Sequence, residues 1–335
     1  MIVVALLQAG AEVNRADDVG CTPLMLAGQT GHAAVAGLLL QAGALVNAGN
    51  DGGCTPLYLA ACGNHDAVVK LLVEAGAEVD MADNDGSTPL MFAAQKGHDA
   101  VVATLLRAGP EVDKTNKGGD TALSLAAIFG HTAVVNLLIE AGAEVNRAND
   151  GGYTPLLLAG ENGHAAVAGL LLQAGALVNA VNDKGCTPLW KGAAANHATV
   201  VELLVEAGAE VDMADDRGCT PLMFAAQEGH DAVVATLLRA GPEVNHMSKG
   251  GYTALFLAAS SGHIAVVQLL LQAGAEVDKA NDEIGTPLQE ARMQGHEAVV
   301  AALIAAGANK TCVAPPSMLA LARARHPGDP NDPSC

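Results

Sequence analysis

The chain is poor in aromatic rings and in positive charge. Its 335 residues include one Trp, three Tyr and four Phe, and 17 Lys+Arg stand against 36 Asp+Glu, a formal net charge of −19. Scarce cations argue against sequence-independent binding to nucleic acid, which needs clustered Lys and Arg on the phosphates. An anionic membrane surface is disfavoured for the same reason. So few rings leave no platform for stacking successive bases. No apolar run reaches the ~18 residues of a membrane span. The seven cysteines form no C-x-x-C pair and match no zinc-finger spacing. They read as free thiols in a reducing compartment, which points to the cytoplasm and is compatible with the nucleus. Walker A, H-E-x-x-H, G-x-S-x-G and EF-hand motifs are all missing, and the chain reads as a non-enzyme without cofactor or metal.

What is present is aliphatic and periodic. Hydrophobic residues make up 50% of the chain, too many for a disordered polymer. Thr22, Thr55, Thr88, Thr121, Thr154, Thr187, Thr220, Thr253 and Thr286 follow one another at steps of 33 residues. Ten residues after each comes a histidine, from His32 to His296. A longer period lies over this one: residues 31–48 return unchanged at 163–180, and 98–112 return at 230–244, an offset of 132. A block of four units has been duplicated. Met1–Leu7 resembles the apolar part of a signal peptide but lacks a basic region before it. Its sequence also recurs in near-identical form at 264–278, so it reads as a helix of the repeat.

Each unit predicts two short antiparallel helices and a turn. Thr22 is a helix N-cap, Pro23 suits the first helical position, and Leu24, Ala27 and Gly28 form one apolar face. Gly31 stops the helix, and Asn64 and Asn196 replace glycine at that position elsewhere. Val35 with Leu39 and Ala36 with Leu40 give the second helix its apolar pairs. Turn chemistry follows, as in Asn50-Asp51-Gly52-Gly53. One unit is too thin to bury its own apolar face, so neighbours must stack into a one-dimensional core.

The 33-residue period, the Thr-Pro-Leu opening, and the Gly-His, Val-Val, Leu-Leu and Gly-Ala pairs closely resemble the ankyrin repeat. The resemblance covers 1–311: the second half of a truncated unit at 1–16, then nine repeats over 17–311. Residues 312–335 form a Pro-rich tail expected to be mostly disordered, with a turn or two of helix at 317–325. The half unit at Met1 suggests a fragment or truncated gene model. The resemblance implies an all-α solenoid of stacked helix-turn-helix units with β-turn fingers. It implies protein–protein binding through a concave groove of fingers and first helices, and no catalysis. The partner is expected to be a protein, and the acidic surface suits a basic one; nucleic acid and membrane are not expected, and the chain is expected to be a monomer. A second reading makes this the substrate-recognition arm or a fragment of a larger enzyme, such as a ubiquitin ligase or kinase.

Several residues invite sharper readings. The Gly-His histidines suggest metal, but at one per repeat they stand too far apart to share an ion, so a structural bond to backbone is favoured. His65-Asp66, His98-Asp99 and His230-Asp231 have no nucleophile in register, which favours helix starts over catalytic dyads. Asp17, Asp18, Asp51, Asp83 and Asp85 belong to a row of fingertip acids, and Glu12, Glu78 and Glu111 begin a second row. Both rows read as a solvated surface or as steering for a basic partner. The family usually has His three residues after the threonine; this chain has Met25, Tyr58, Met91, Ser124, Leu157, Trp190, Met223, Phe256 and Gln289. Tyr58, Phe129, Tyr153, Trp190, Tyr252 and Phe256 sit at variable positions that look toward the groove in the family, and they are the candidate partner-binding residues. The rival reading packs them between neighbouring fingers. Phe92 and Phe224 read as core.

Overall fold

The computed structural model describes residues 2–279 and 285–309. The expected tail helix and the altered last finger around Ile284 lie outside these residues. Nineteen α-helices and no strand occur among the described residues, in the order a stack of helical hairpins requires. A half unit opens the series with the helix Ile2–Gln8. First helices then run seven or eight residues, as in Pro56–Cys62 and Ala122–Phe129, and second helices nine, as in Asp66–Glu74.

The threonine row starts every first helix. Thr22, Thr55, Thr88, Thr121, Thr154, Thr187, Thr220, Thr253 and Thr286 each accept a hydrogen bond from the backbone N–H three residues on, at 3.1–3.4 Å. Each such cap stabilises its helix by about 1 kcal/mol. The helices stop where the chain turns left-handed, at Gly97 with φ 70° and Gly130 with φ 75°. Asn64 and Asn196 hold that conformation at φ 59° and 60°, the only non-glycine residues to do so among the described residues.

The chain divides into two compact units, one of 1–159 with 166–176, the other of 160–165 with 177 onward. In both, first helices pack on first helices and second helices on second. In the first unit Leu24, Leu57, Leu90 and Leu123 line the seam with Val68, Val69, Leu72, Val101, Val102 and Leu105, all of them buried. In the second, Leu189, Leu222 and Leu255 meet Val200, Val201, Leu204, Val233, Val234 and Leu237 in the same way. Burying one such side chain stabilises by about 1.5–3 kcal/mol.

The fingers are tied within and between repeats. Asp17, Asn50, Asp83, Asn116, Asn149, Asn182 and Asp215 each close their own turn, one side-chain oxygen accepting two backbone N–H bonds. Adjacent fingertips are bridged by backbone. In the first unit Asn84 N–H donates to Gly52 O at 2.9 Å and Lys117 N–H to Asp85 O at 3.0 Å; in the second, Asp216 N–H donates to Lys184 O at 3.0 Å. Each finger therefore holds its neighbour in register.

Candidate finger and first-helix interface

The side chain three residues after each threonine is buried in all nine repeats, from Met25 to Gln289. Two of them reach the next finger. Tyr58 donates its hydroxyl to Asp83 Oδ2 at 2.7 Å, and Trp190 donates Nε1–H to Cys219 O at 3.0 Å. The side chain four residues after the threonine varies: Leu125, Leu158, Leu257 and Glu290 are buried, and the other five are more accessible. Leu26 is 45% exposed, while Leu59, Phe92, Lys191 and Phe224 are half-buried.

The six candidate rings accordingly fall into two groups. Tyr58, Trp190, Tyr252 and Phe256 are buried against neighbours: Tyr58 lies 5.6 Å from Phe92, Trp190 4.8 Å from Phe224, and Tyr252 5.4 Å from Phe256, all tilted. Phe129 is 48% exposed near the end of its first helix, stacked 6.3 Å from His131, and Tyr153 is half-buried. Phe92 and Phe224, expected as core, are half-buried and carry part of the outward face. Lys96 lies over the Phe92 ring at 5.4 Å. Phe92 reads as core because most other repeats have Leu there, and of those Leu125, Leu158 and Leu257 are indeed buried.

The histidines serve the fold. His65 Nε2 lies 3.0 Å from Gln29 O, and His131 Nε2 lies 2.9 Å from Gln95 O. His98, His197, His230 and His296 repeat the arrangement. A carbonyl only accepts, so Nε2 carries the proton. Each ring thus closes the carbonyl end of the preceding repeat's first helix. No group of three His, Cys, Asp or Glu able to hold a metal occurs among the described residues.

Several titratable groups are shifted by their surroundings. Burial pushes the Cys62 thiol up to about 12, helped by nearby Cys54 and Asp83. Burial also raises Cys54 and Cys186, and together with the Asp83 hydrogen bond it raises the Tyr58 hydroxyl far above its usual range. Burial would raise Asp66 too. Hydrogen bonds from Lys70 and Thr104, with the charges of Lys70 and Arg107, outweigh it and hold the carboxyl below its usual value. Cys21, Cys54, Cys62 and Cys186 are free thiols.

The opposite surface is plainer. Between second helices lies an open groove of about 400 Å³ lined by Asp99, Ala100, Ala103, Ala133, Asn136 and Leu137. One of about 410 Å³ recurs 132 residues on, lined by Asp231, Ala232, Ala235, Ala265 and Gln268 among others. Both are shallow and rich in alanine.

The family model of ankyrin repeats in three copies matches residues 1–83, 45–116, 90–182, 174–248 and 234–314. The chain belongs to the ankyrin-repeat family. Its repeats are generally protein–protein interaction modules and typically non-catalytic. No curated protein matches the chain at a significant level. This ankyrin-repeat chain departs from the usual family pattern where histidine follows Thr-Pro-Leu. Trp190 and Tyr58 take that place and reach the next finger directly.

Proposed function

We propose that this chain is a non-enzymatic protein-interaction scaffold that holds its partner on the finger and first-helix face. The observation that carries the reading is a set of accessible apolar side chains beside hydrogen-bonded fingers: Leu26, Leu59 and Phe92, four residues after their threonines, and Phe129 at the end of its first helix. Exposed apolar patches edged by polar groups mark interaction sites. Among the six candidate rings, Phe129 and Tyr153 offer surface to a partner. Tyr58, Trp190, Tyr252 and Phe256 support the face from beneath. The acidic fingertips favour a basic partner, and the scarcity of cations disfavours nucleic acid.

Among the described residues no helix is long and apolar enough to cross a membrane. We place the protein in the cytoplasm or nucleus on the free thiols Cys21, Cys54, Cys62 and Cys186, and take it to be a monomer. Cell fractionation with sedimentation decides both points.

The test is capture of partners from native lysate by wild type, Phe129→Ser and Lys70→Glu. Lys70 lies on a second helix, and glutamate occupies the matching position, Glu202. The reading expects Phe129→Ser to lose the captured proteins and Lys70→Glu to keep them. The reverse pattern contradicts it.

A further inference from the structure

The duplication at an offset of 132 supplies an internal comparison. Second helices have kept their sequence in places: Ala33–Gln41 equals Ala165–Gln173, and Asp99–Arg107 equals Asp231–Arg239. The finger and first-helix face has kept Pro89–Gln95, Phe92 included, at 221–227 and has changed at other positions. Leu59 corresponds to Lys191, Ile128 to Ser260, Phe129 to Ser261 and Lys96 to Glu228. In the first unit these positions are mostly apolar, with Phe129 and Leu26 the most exposed. In the second, Lys191 pairs with Glu161 at 2.8 Å and Ser260 donates its hydroxyl to the buried Glu290 at 3.1 Å.

The fingertips have diverged with them. The first unit's fingers, 17–21, 50–54, 83–87, 116–120 and 149–153, hold Asp17, Asp18, Asp51, Asp83, Asp85, Asp120 and Asp150 against one cation, Lys117. Fingers 182–186, 215–219 and 248–252 balance Asp183, Asp215 and Asp216 with Lys184, Arg217 and Lys249. Asp85 and Arg217 are corresponding residues of opposite charge. Of the first unit's acids, Asp17 and Asp83 bind their own finger amides, and Asp18, Asp51 and Asp85 are exposed.

We infer that the first unit's face is the docking site of a basic partner segment bearing aliphatic side chains. Leu26, Leu59, Phe92 and Phe129 take its apolar side chains, while Asp18, Asp51 and Asp85 face its cations. The inference rests on the scaffold reading above and adds a place and a chemistry to it. Charge complementarity selects the partner: an acidic segment on this face would meet exposed carboxylates with little to offset the repulsion. The second unit's face keeps Phe224 but has Lys191 and Ser261 in place of Leu59 and Phe129, and its fingers balance acids with cations.

Titration with three synthetic peptides tests this. They alternate Lys with Leu, Glu with Leu, and Lys with Ser. Each is about 12 residues long, enough to span four repeats at about 10 Å per repeat and about 3.3 Å per residue. Binding is measured by calorimetry against wild type, Leu59→Lys/Phe129→Ser, Asp85→Arg and Phe224→Ser. The first two variants install the residues found 132 positions on, so the fold tolerates them, and a thermal melt checks that it does. The inference expects the Lys/Leu peptide alone to bind. Leu59→Lys/Phe129→Ser and Asp85→Arg each weaken it about tenfold or more, about 1.4 kcal/mol, and Phe224→Ser leaves it unchanged. Equal binding of the Glu/Leu or Lys/Ser peptide, or no binding by any of the three, overturns the inference. Loss on Phe224→Ser alone overturns the placement and leaves the scaffold reading standing. Binding that no variant weakens, with peptide cross-links on second helices, overturns both.

Discussion

His131 Nε2 stands 2.9 Å from the carbonyl oxygen of Gln95, and its ring lies over Gly97. One side chain thus closes the previous repeat's helix and fills the space a Cβ would take there. Replacing His131 with Ala leaves a helix-end carbonyl without that partner, a cost of about 1–3 kcal/mol. Equilibrium denaturation should show the loss, and a chelator should leave wild-type stability unchanged. A chelator that lowers the midpoint would contradict the structural role.

Two glycines separate strain from packing. Gly97 and Gly109 both have positive φ, 70° and 75°. A Cβ on Gly97 would come within 2.5 Å of His131 Nδ1, whereas one on Gly109 meets nothing within 4 Å. Gly109→Ala should cost only the left-handed strain, about 1–2 kcal/mol. Gly97→Ala should lower the melting temperature further, because the ring must move. Equal losses would contradict the packing of His131.

The buried rings should behave as core. Trp190→Ala should destabilise by about 3–5 kcal/mol, and Trp190→Phe should lose the bond to Cys219 O while keeping most of the packing. Phe129→Ala, at an exposed ring, should change stability by less than about 0.5 kcal/mol. A denaturation series measures all three. The reverse order would mean that Trp190 is the accessible ring.

Thiol chemistry offers a pH test. Cys62 reacts through its thiolate, and burial pushes that ionisation up to about 12. Mass-mapped alkylation from pH 7 to 10 should leave Cys62 unmodified in the folded chain and modify it after denaturation. Labelling of native Cys62 at pH 8 would contradict its placement.

Asp66 sets an acid limit on one local tie. Its carboxyl accepts from Lys70 Nζ at 2.6 Å and from Thr104 Oγ1 at 2.6 Å. The folded value lies below the unfolded one, about 3.9. Its stabilisation is therefore complete above that pH and disappears as pH falls through the folded value. The gap between wild type and Asp66→Asn in urea should be constant from pH 5 to 8 and close below about pH 4. A gap that persists at pH 2 would contradict the sign.

Much of this was legible in the sequence because one threonine, one glycine and one histidine recur in fixed register. Their local chemistry names the cap, the stop and the bond to backbone. What stayed hidden depends on the neighbouring repeat. Tyr58 and Phe129 are both rings in or beside first helices, yet one is covered by the Asp83 finger and the other is exposed. Asp83 reads as a surface acid in one dimension. In the fold it takes two backbone amides and the Tyr58 hydroxyl. Asn47 and Asp80 each accept the backbone N–H of a glutamate 31 positions on, Glu78 and Glu111, ties that only the neighbouring repeat supplies.

The central claim is that partners meet the finger and first-helix face. Lysine-directed cross-linking in native lysate, mapped by mass spectrometry, tests it most directly. Lys96 lies near the end of a first helix and Lys117 on a finger, whereas Lys70 lies on a second helix, exposed and available as an internal control. The account predicts intermolecular links at Lys96 and Lys117 that fall when Phe129 becomes Ser. Links concentrated on Lys70, indifferent to Phe129, would contradict it.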